Sequence, residues 1–218
     1  MLFKKIEEII KILRNYYYTF QKPSVTEISH KYNDPFFVLI SCILSLRTKD
    51  KTTVEASRRL FKIGDNPLDF SKVSLKNIQR AIYPVGFYRV KSRNIKEISR
   101  QLLIRFKGKV PADMDALLSL KGVGRKTANL VLTLGFNKLG ICVDTHVHRI
   151  SNRLGIVNTS KPFDTEMELR KILPKKFWIE YNDLLVSFGQ NICKPISPLC
   201  NNCKIYKLCP KIGVQKHR

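Results

Sequence analysis

Leu117-Leu118-Ser119-Leu120-Lys121-Gly122-Val123-Gly124-Arg125-Lys126-Thr127-Ala128-Asn129 is the stretch on which the fold turns. An apolar helix end meets a Gly-x-Gly turn, and a second helix opens on small and polar residues. The two glycines allow positive φ and close approach of another backbone. The first N–H groups of the second helix have no partner within it and favour an anion. A DNA phosphate suits that arrangement, and no base need be read. On this reading Gly122, Val123, Gly124, Arg125 and Thr127 form a phosphate cradle. A plain helix connection with a glycine stop carries the same Gly-x-Gly, so the reading leans on the rest of the chain.

The rest of the chain supplies charge and helices. Its 218 residues hold 40 Lys+Arg against 17 Asp+Glu, a net charge of +23. Such an excess repels itself and points to a polyanion. Nucleic acid comes first, an anionic membrane second and simple lysine-rich composition third. An apolar content of 44% and an aromatic content of 10% are globular values, which speaks against disorder. The length suits one large domain or two small ones. The start, Met1 to Glu8, has no signal-peptide core, and the longest nearly apolar run, Phe36 to Leu46, is too short to span a bilayer. A cytoplasmic, nucleoid-associated protein without a membrane segment is expected.

Helical periodicity recurs along the chain. Ile6, Ile9, Ile10 and Leu13 share one face, and Phe36 to Leu46 is apolar almost all round, as in a buried helix. Further amphipathic stretches lie near 52–62, 75–82, 91–106, 113–120, 126–136, 145–154, 164–173 and 177–190. Strand-like alternation is nearly absent, so the expected fold is all-α. No repeat is visible, and periodicity marks no domain boundary.

Lys126 falls at or just inside the second helix of the hairpin. A helix N-terminus disfavours a cation, and Arg125 beside it pushes the same way. Such placement lowers a lysine pKa toward neutrality and frees a nucleophilic amine. A solvated phosphate-binding lysine is the plainer alternative. Asp144, in Val143-Asp144-Thr145-His146, lies where a helix N-cap belongs. Capping is its simplest role, worth about 1 kcal/mol. Its functional reading is a carboxylate that takes a proton from Lys126 or balances positive charge on a sugar. His146 and His148 are two apart and point to different helix faces, which argues against a metal pair.

Cys193-x6-Cys200-x2-Cys203-x5-Cys209 is the sharpest feature. Four thiolates on one Pro-rich loop can hold zinc or an iron–sulfur cluster. Structural zinc usually shows two close Cys pairs. This spacing has one, which favours [4Fe–4S]. Disulfides do not fit a cytosolic chain. From Cys193 onward there are six basic residues and no acidic one, namely Lys194, Lys204, Lys207, Lys211, Lys216 and Arg218. Cys42 and Cys142 read as small buried residues.

Together the hairpin, the Val143-Asp144-Thr145-His146 segment and the four cysteines resemble the endonuclease III family, DNA glycosylase/AP lyases of the helix-hairpin-helix superfamily. The resemblance runs from about residue 25 to 210 and keeps the family's motif order. It implies two all-α lobes: a barrel of about six helices over 28–136 that carries the hairpin, and a second lobe of 1–27 plus 137–218 with a [4Fe–4S] cluster on Cys193, Cys200, Cys203 and Cys209. It implies duplex DNA with a damaged base or abasic site as partner, bound by a monomer, with the damaged nucleotide flipped out. Lys126 matches the family's nucleophile and Asp144 its essential carboxylate. Arg47 stands where relatives often carry Gln, in the residue that fills the gap left by the flipped nucleotide. Phe87 aligns with an apolar wedge, and His146 joins the expected DNA contacts.

The expected activity is removal of oxidised pyrimidines followed by β-elimination. Rival activities fit less well. Adenine glycosylases of the superfamily carry a catalytic Glu near position 42, where this chain has Ser41-Cys42-Ile43, and they lack the lysine at 126. They also have a further C-terminal domain. Mismatch-specific thymine glycosylases replace that lysine too. A non-catalytic DNA-binding module would keep hairpin, charge and cysteines, and only the Lys126/Asp144 pair speaks against it.

Overall fold

A computed structural model of the chain describes residues 2–218. Those residues form an all-helical structure without strands. Its α-helices in chain order are α1 (Leu2–Thr19), α2 (Ser24–Tyr32), α3 (Pro35–Ser45), α4 (Asp50–Leu60), α5 (Pro67–Lys72), α6 (Leu75–Ile82), α7 (Tyr88–Phe106), α8 (Met114–Leu118), α9 (Arg125–Leu130), α10 (Thr145–Arg153), α11 (Pro162–Ile172) and α12 (Trp178–Asn191). No helix among them is long and apolar enough to cross a membrane. The chain divides into two compact units. One is Ser24–Lys138, and the other joins Met1–Pro23 to Leu139–Arg218.

In the continuous unit the apolar run becomes α3, the central helix. Pro35 supplies the first-turn φ, and the Asp34 carboxylate accepts the Phe36 N–H at 2.6 Å, so the start is fixed by an N-cap. Eight of its eleven residues are buried. Helices α2, α4, α7 and α9 pack around it, which explains why its sequence shows no polar face. Helix α7 ends in a left-handed pair, Lys107 and Gly108, whose N–H groups return to the Leu102 carbonyl. That is a glycine-assisted helix stop. After α9 the backbone continues as a π turn over Val131–Gly135. Such a bulge re-aims a helix and recurs near functional sites.

In the discontinuous unit α1 buries Ile6, Ile9, Ile10, Leu13 and Tyr16 on one stripe, the spacing of an amphipathic helix. Each such side chain contributes about 1.5–3 kcal/mol when fully buried. The stripe packs with Val147 and Ile150 of α10 and with Tyr181, Leu185 and Phe188 of α12. The cysteine loop follows α12 and lies on this core, with Cys193, Cys203 and Cys209 packed against it.

Candidate functional site

The hairpin is built from α8, its turn and α9. Val123 donates its N–H to the Leu120 carbonyl at 3.1 Å and closes the turn. Gly122 has φ +77°, and a Cβ there would lie 2.6 Å from Nδ2 of Asn94, so both backbone and space require glycine. Lys121 donates its N–H to Oε1 of Gln101 at 3.0 Å. Helix α7 therefore holds the turn from beneath through Asn94 and Gln101. Gly124 is different. It caps α9 in an extended conformation, with no side-chain cap. A Cβ on it would meet nothing within 4 Å, so the space before the helix start is open. By helix geometry the first N–H groups of α9 face that side. Val123 and Thr127 are buried, while Arg125 is half-buried.

Lys126 is the second residue of α9, half-buried, in the positive first turn of its helix. On the facing side of α3 is Cys42, fully buried. Burial pushes the Cys42 thiol up to about 12, while the nearby Lys126 charge pulls it the other way. The thiol stays neutral at physiological pH. A small uncharged side chain is thus one of the neighbours of Lys126.

A second group of expected residues meets beside the α3 end. Arg47 follows the C-cap of α3, and Phe87 caps the start of α7. Both have left-handed backbones, φ +52° and +58°, an uncommon state for non-glycine residues. Their side chains come together, with the Arg47 guanidinium 5.7 Å from the Phe87 ring centroid. Both are exposed, Phe87 at 61%. Beneath them lies Lys91, only 5% exposed. Its ammonium donates to the carbonyls of Leu44 (2.8 Å) and Leu46 and to Oγ1 of Thr48 (3.0 Å). Burial lowers its pKa to about 8. The sequence reading did not single out Lys91. A signal was there, because Lys91 sits four residues before Ile95 on the buried face of α7.

Asp144 caps α10. Its Oδ1 accepts the N–H groups of His146 (2.8 Å) and Val147 (2.9 Å). One carboxylate oxygen is committed to the helix start, and the residue stays half-buried. His146 places Nδ1 3.2 Å from Nη2 of Arg149. His148 places Nδ1 2.7 Å from Oγ1 of Thr165 on α11. The two histidines thus serve different neighbours.

The four loop cysteines line one pocket with Arg153, Leu154, Ile192 and Ile205. All four are free thiols. Burial raises the pKa of Cys200, Cys203 and Cys209, with Cys203 reaching about 11, and neighbouring cysteines push each of them further up. These three half-buried thiols therefore ionise readily only when a cation compensates them. Yet among the described residues no group of three or more His, Cys, Asp or Glu is placed to hold a single metal ion. Four cysteine sulfurs lining one pocket are nevertheless a donor set that suits a metal or iron–sulfur group. Arg153 braces the entry to the loop. Its guanidinium reaches the Lys194 carbonyl (2.6 Å), the Pro195 carbonyl (2.7 Å) and Sγ of Cys193 (3.5 Å). The hydroxyl of Tyr16 accepts the Lys204 N–H at 2.8 Å and ties the loop to α1.

These features meet known proteins. Residues 40–175 match the family model of HhH-GPD superfamily base excision DNA repair proteins. Endonuclease III of Thermotoga maritima is 48% identical over 181 residues, which covers 83% of this chain and 85% of that protein. This chain belongs to the endonuclease III family. Solved structures of the family show the same fold. A non-covalent endonuclease III–DNA complex superposes with a TM-score of 0.85 at 33% identity, covering 95% of each chain. A trapped endonuclease III–DNA covalent intermediate gives a TM-score of 0.77 at 38% identity, covering 82% of this chain and 84% of that one. The HhH of the superfamily name corresponds here to α8, the Gly122–Gly124 turn and α9.

Proposed function

We propose that this chain is a base-excision DNA glycosylase with AP lyase activity, and that it acts as a monomer on duplex DNA carrying an oxidised pyrimidine or an abasic site. One observation carries the reading. Lys126 stands in the first turn of α9, behind the open face of Gly124 and beside a neutral Cys42 thiol. A phosphate on the α9 start brings the deoxyribose toward that amine. A family relative trapped as a covalent DNA intermediate supports a nucleophilic route.

The amine of Lys126 attacks C1′ of the flipped nucleotide, the C1′–N bond breaks, and the base departs with the bonding electrons and then takes up the proton that the attacking amine sheds, directly or by way of Asp144. Asp144 accepts the amine's proton or balances positive charge on the sugar. The covalent product opens to a Schiff base. Loss of a C2′ proton then expels the 3′ phosphate oxygen and breaks the strand. Arg47 and Phe87 occupy the gap and wedge the stack, and the hairpin residues and His146 line the DNA path. Cys193, Cys200, Cys203 and Cys209 would hold a [4Fe–4S] cluster, which would clamp the basic loop in place.

Borohydride trapping on an abasic duplex tests the reading. The wild-type protein gives a covalent adduct, and Lys126→Gln gives none. A wild-type protein that yields neither adduct nor strand cleavage refutes it in favour of a non-catalytic DNA-binding module. A brown, iron-loaded preparation supports the cluster, whereas a colourless zinc-loaded one excludes it.

A further inference from the structure

Lys91 is the one ammonium in the continuous unit that is nearly sealed from solvent and bound to three acceptors on another segment. It belongs to none of the motifs above. A buried lysine is tolerated only when its donors are satisfied. Here the acceptors are the Leu44 and Leu46 carbonyls and the Thr48 hydroxyl, at and just beyond the α3 end. The α3 C-terminus is also where a cation is favoured.

The same residue is tied to the other segment. The backbone N–H of Lys91 donates to the Phe87 carbonyl at 3.0 Å in the first turn of α7. One residue thus joins the loop that presents Arg47 to the turn that presents Phe87. The two backbones touch directly as well. A Cβ on Gly86 would lie 2.7 Å from the Arg47 carbonyl oxygen, so the turn is pressed against the loop. Left-handed backbones at two non-glycine residues persist only where the surroundings hold them. Thr48 completes the brace, with its N–H on the Ser45 carbonyl at 3.1 Å.

We infer that Lys91 is a positioning residue, which fixes the 45–48 loop against the 86–88 turn so that Arg47 and Phe87 stand as one preassembled pair. This rests on the proposed function, in which that pair fills the duplex after nucleotide flipping. Preassembly removes the cost of ordering two exposed side chains at the moment of insertion. A single strand offers no opposite base and no gap, so the pair has nothing to do there. The role therefore shows in the ratio of incision rates on duplex and on single-stranded abasic DNA. An ammonium suits the three acceptors, whereas a planar guanidinium does not.

The experiment is single-turnover incision of an abasic site in both DNA forms by wild type, Lys91→Met, Arg47→Ala and the double variant, with Tm recorded for each. Lys91→Met is expected to lower the duplex-to-single-strand ratio about tenfold, the scale of losing charged hydrogen bonds. The double variant is expected to fall no further than Arg47→Ala, because the two residues act in one unit. Thr48→Val, which removes one acceptor, should lower the ratio in the same direction by less, and serves if Lys91→Met does not fold. An unchanged ratio in a folded variant overturns the inference. So do losses that multiply in the double variant, or an Arg47→Ala protein with a wild-type ratio. A wild-type protein inactive on both DNAs is a different failure, that of the proposed lyase activity itself.

Discussion

Asp144 caps α10 and is the proton acceptor proposed above, and one pair of substitutions separates the two roles. Its Oδ1 accepts two N–H groups at 2.8 and 2.9 Å and so caps α10. Asp144→Ala removes the cap, about 1 kcal/mol, and the favourable charge at the helix start, a further ~0.3–1 kcal/mol. For a chain of this size each kcal/mol moves Tm by roughly 2–4 °C, so Ala should lower Tm by about 3–8 °C. Asn caps a helix as well as Asp does. Asp144→Asn therefore loses only the charge share, at most about 4 °C. Catalysis distinguishes the two differently. Neither replacement can accept a proton, so both should lower base release on an oxidised-pyrimidine duplex by about 10²-fold or more. The assay is single-turnover base release beside a thermal melt. The reasoning fails if Asp144→Asn releases base at the wild-type rate, because the carboxylate is then only a cap. It fails equally if the rates of the three proteins follow their Tm values.

The hairpin glycines should respond in opposite ways. Gly122→Ala forces a side chain into φ +77° and against Asn94, which should destabilise the fold by roughly 1–3 kcal/mol. Gly124→Ala meets nothing within 4 Å and should leave Tm unchanged while weakening binding to abasic duplex. Wild-type binding by Gly124→Ala would mean that no phosphate rests against that backbone. Affinity for duplex DNA should fall with log[salt] by about 0.9 per phosphate neutralised, and a titration with a slope near zero removes the DNA reading altogether.

Much of the architecture could be read from side-chain periodicity. The stripe from Ile6 to Leu13 is one face of α1, and the capped apolar run is α3, within one residue at each end. Two helices escaped. In α2 three of the five buried positions are Ser24, Thr26 and Ser29, so its inward face carries little apolar signal. Helix α5 has six residues, too few for a period, although the Asn66 cap and Pro67 announce its start. The stretch expected as one helix over 126–136 divides into α9 and a π turn. A π turn changes the hydrogen-bond register without changing which residues are apolar, so composition cannot disclose it.

The site divides along the same line. Gly122, Asp144 and the cysteine spacing are visible because each rests on local chemistry: a positive φ, a cap and a ligand interval. The meeting of Arg47 with Phe87 depends on left-handed backbones that no residue type announces. The placements of Lys91 and Arg153 depend on carbonyls 41 or more residues away in the chain.

Those distant carbonyls bear on the +23 charge. A helix C-terminus exposes carbonyls that carry partial negative charge, and this chain repeatedly meets them with a cation from another element. Lys91 reaches Leu44 at the end of α3, at 2.8 Å. Lys96 reaches Val73 at the end of α5, at 2.7 Å, and Lys5 reaches Leu154 at the end of α10, at 3.2 Å. Arg59 takes the Ala81 and Tyr83 carbonyls where α6 stops. Cations used this way join the chain to itself. They add to net charge and to long-range attraction for DNA, but they cannot also reach a phosphate without giving up a helix end. Those four cations are therefore not available to phosphates, and phosphate contacts come from the other basic residues. Net charge then overstates the number of ions released on binding. In this fold basic residues are partly a means of terminating helices, which is why a count of lysines and arginines suggests a polyanion and still does not measure its footprint.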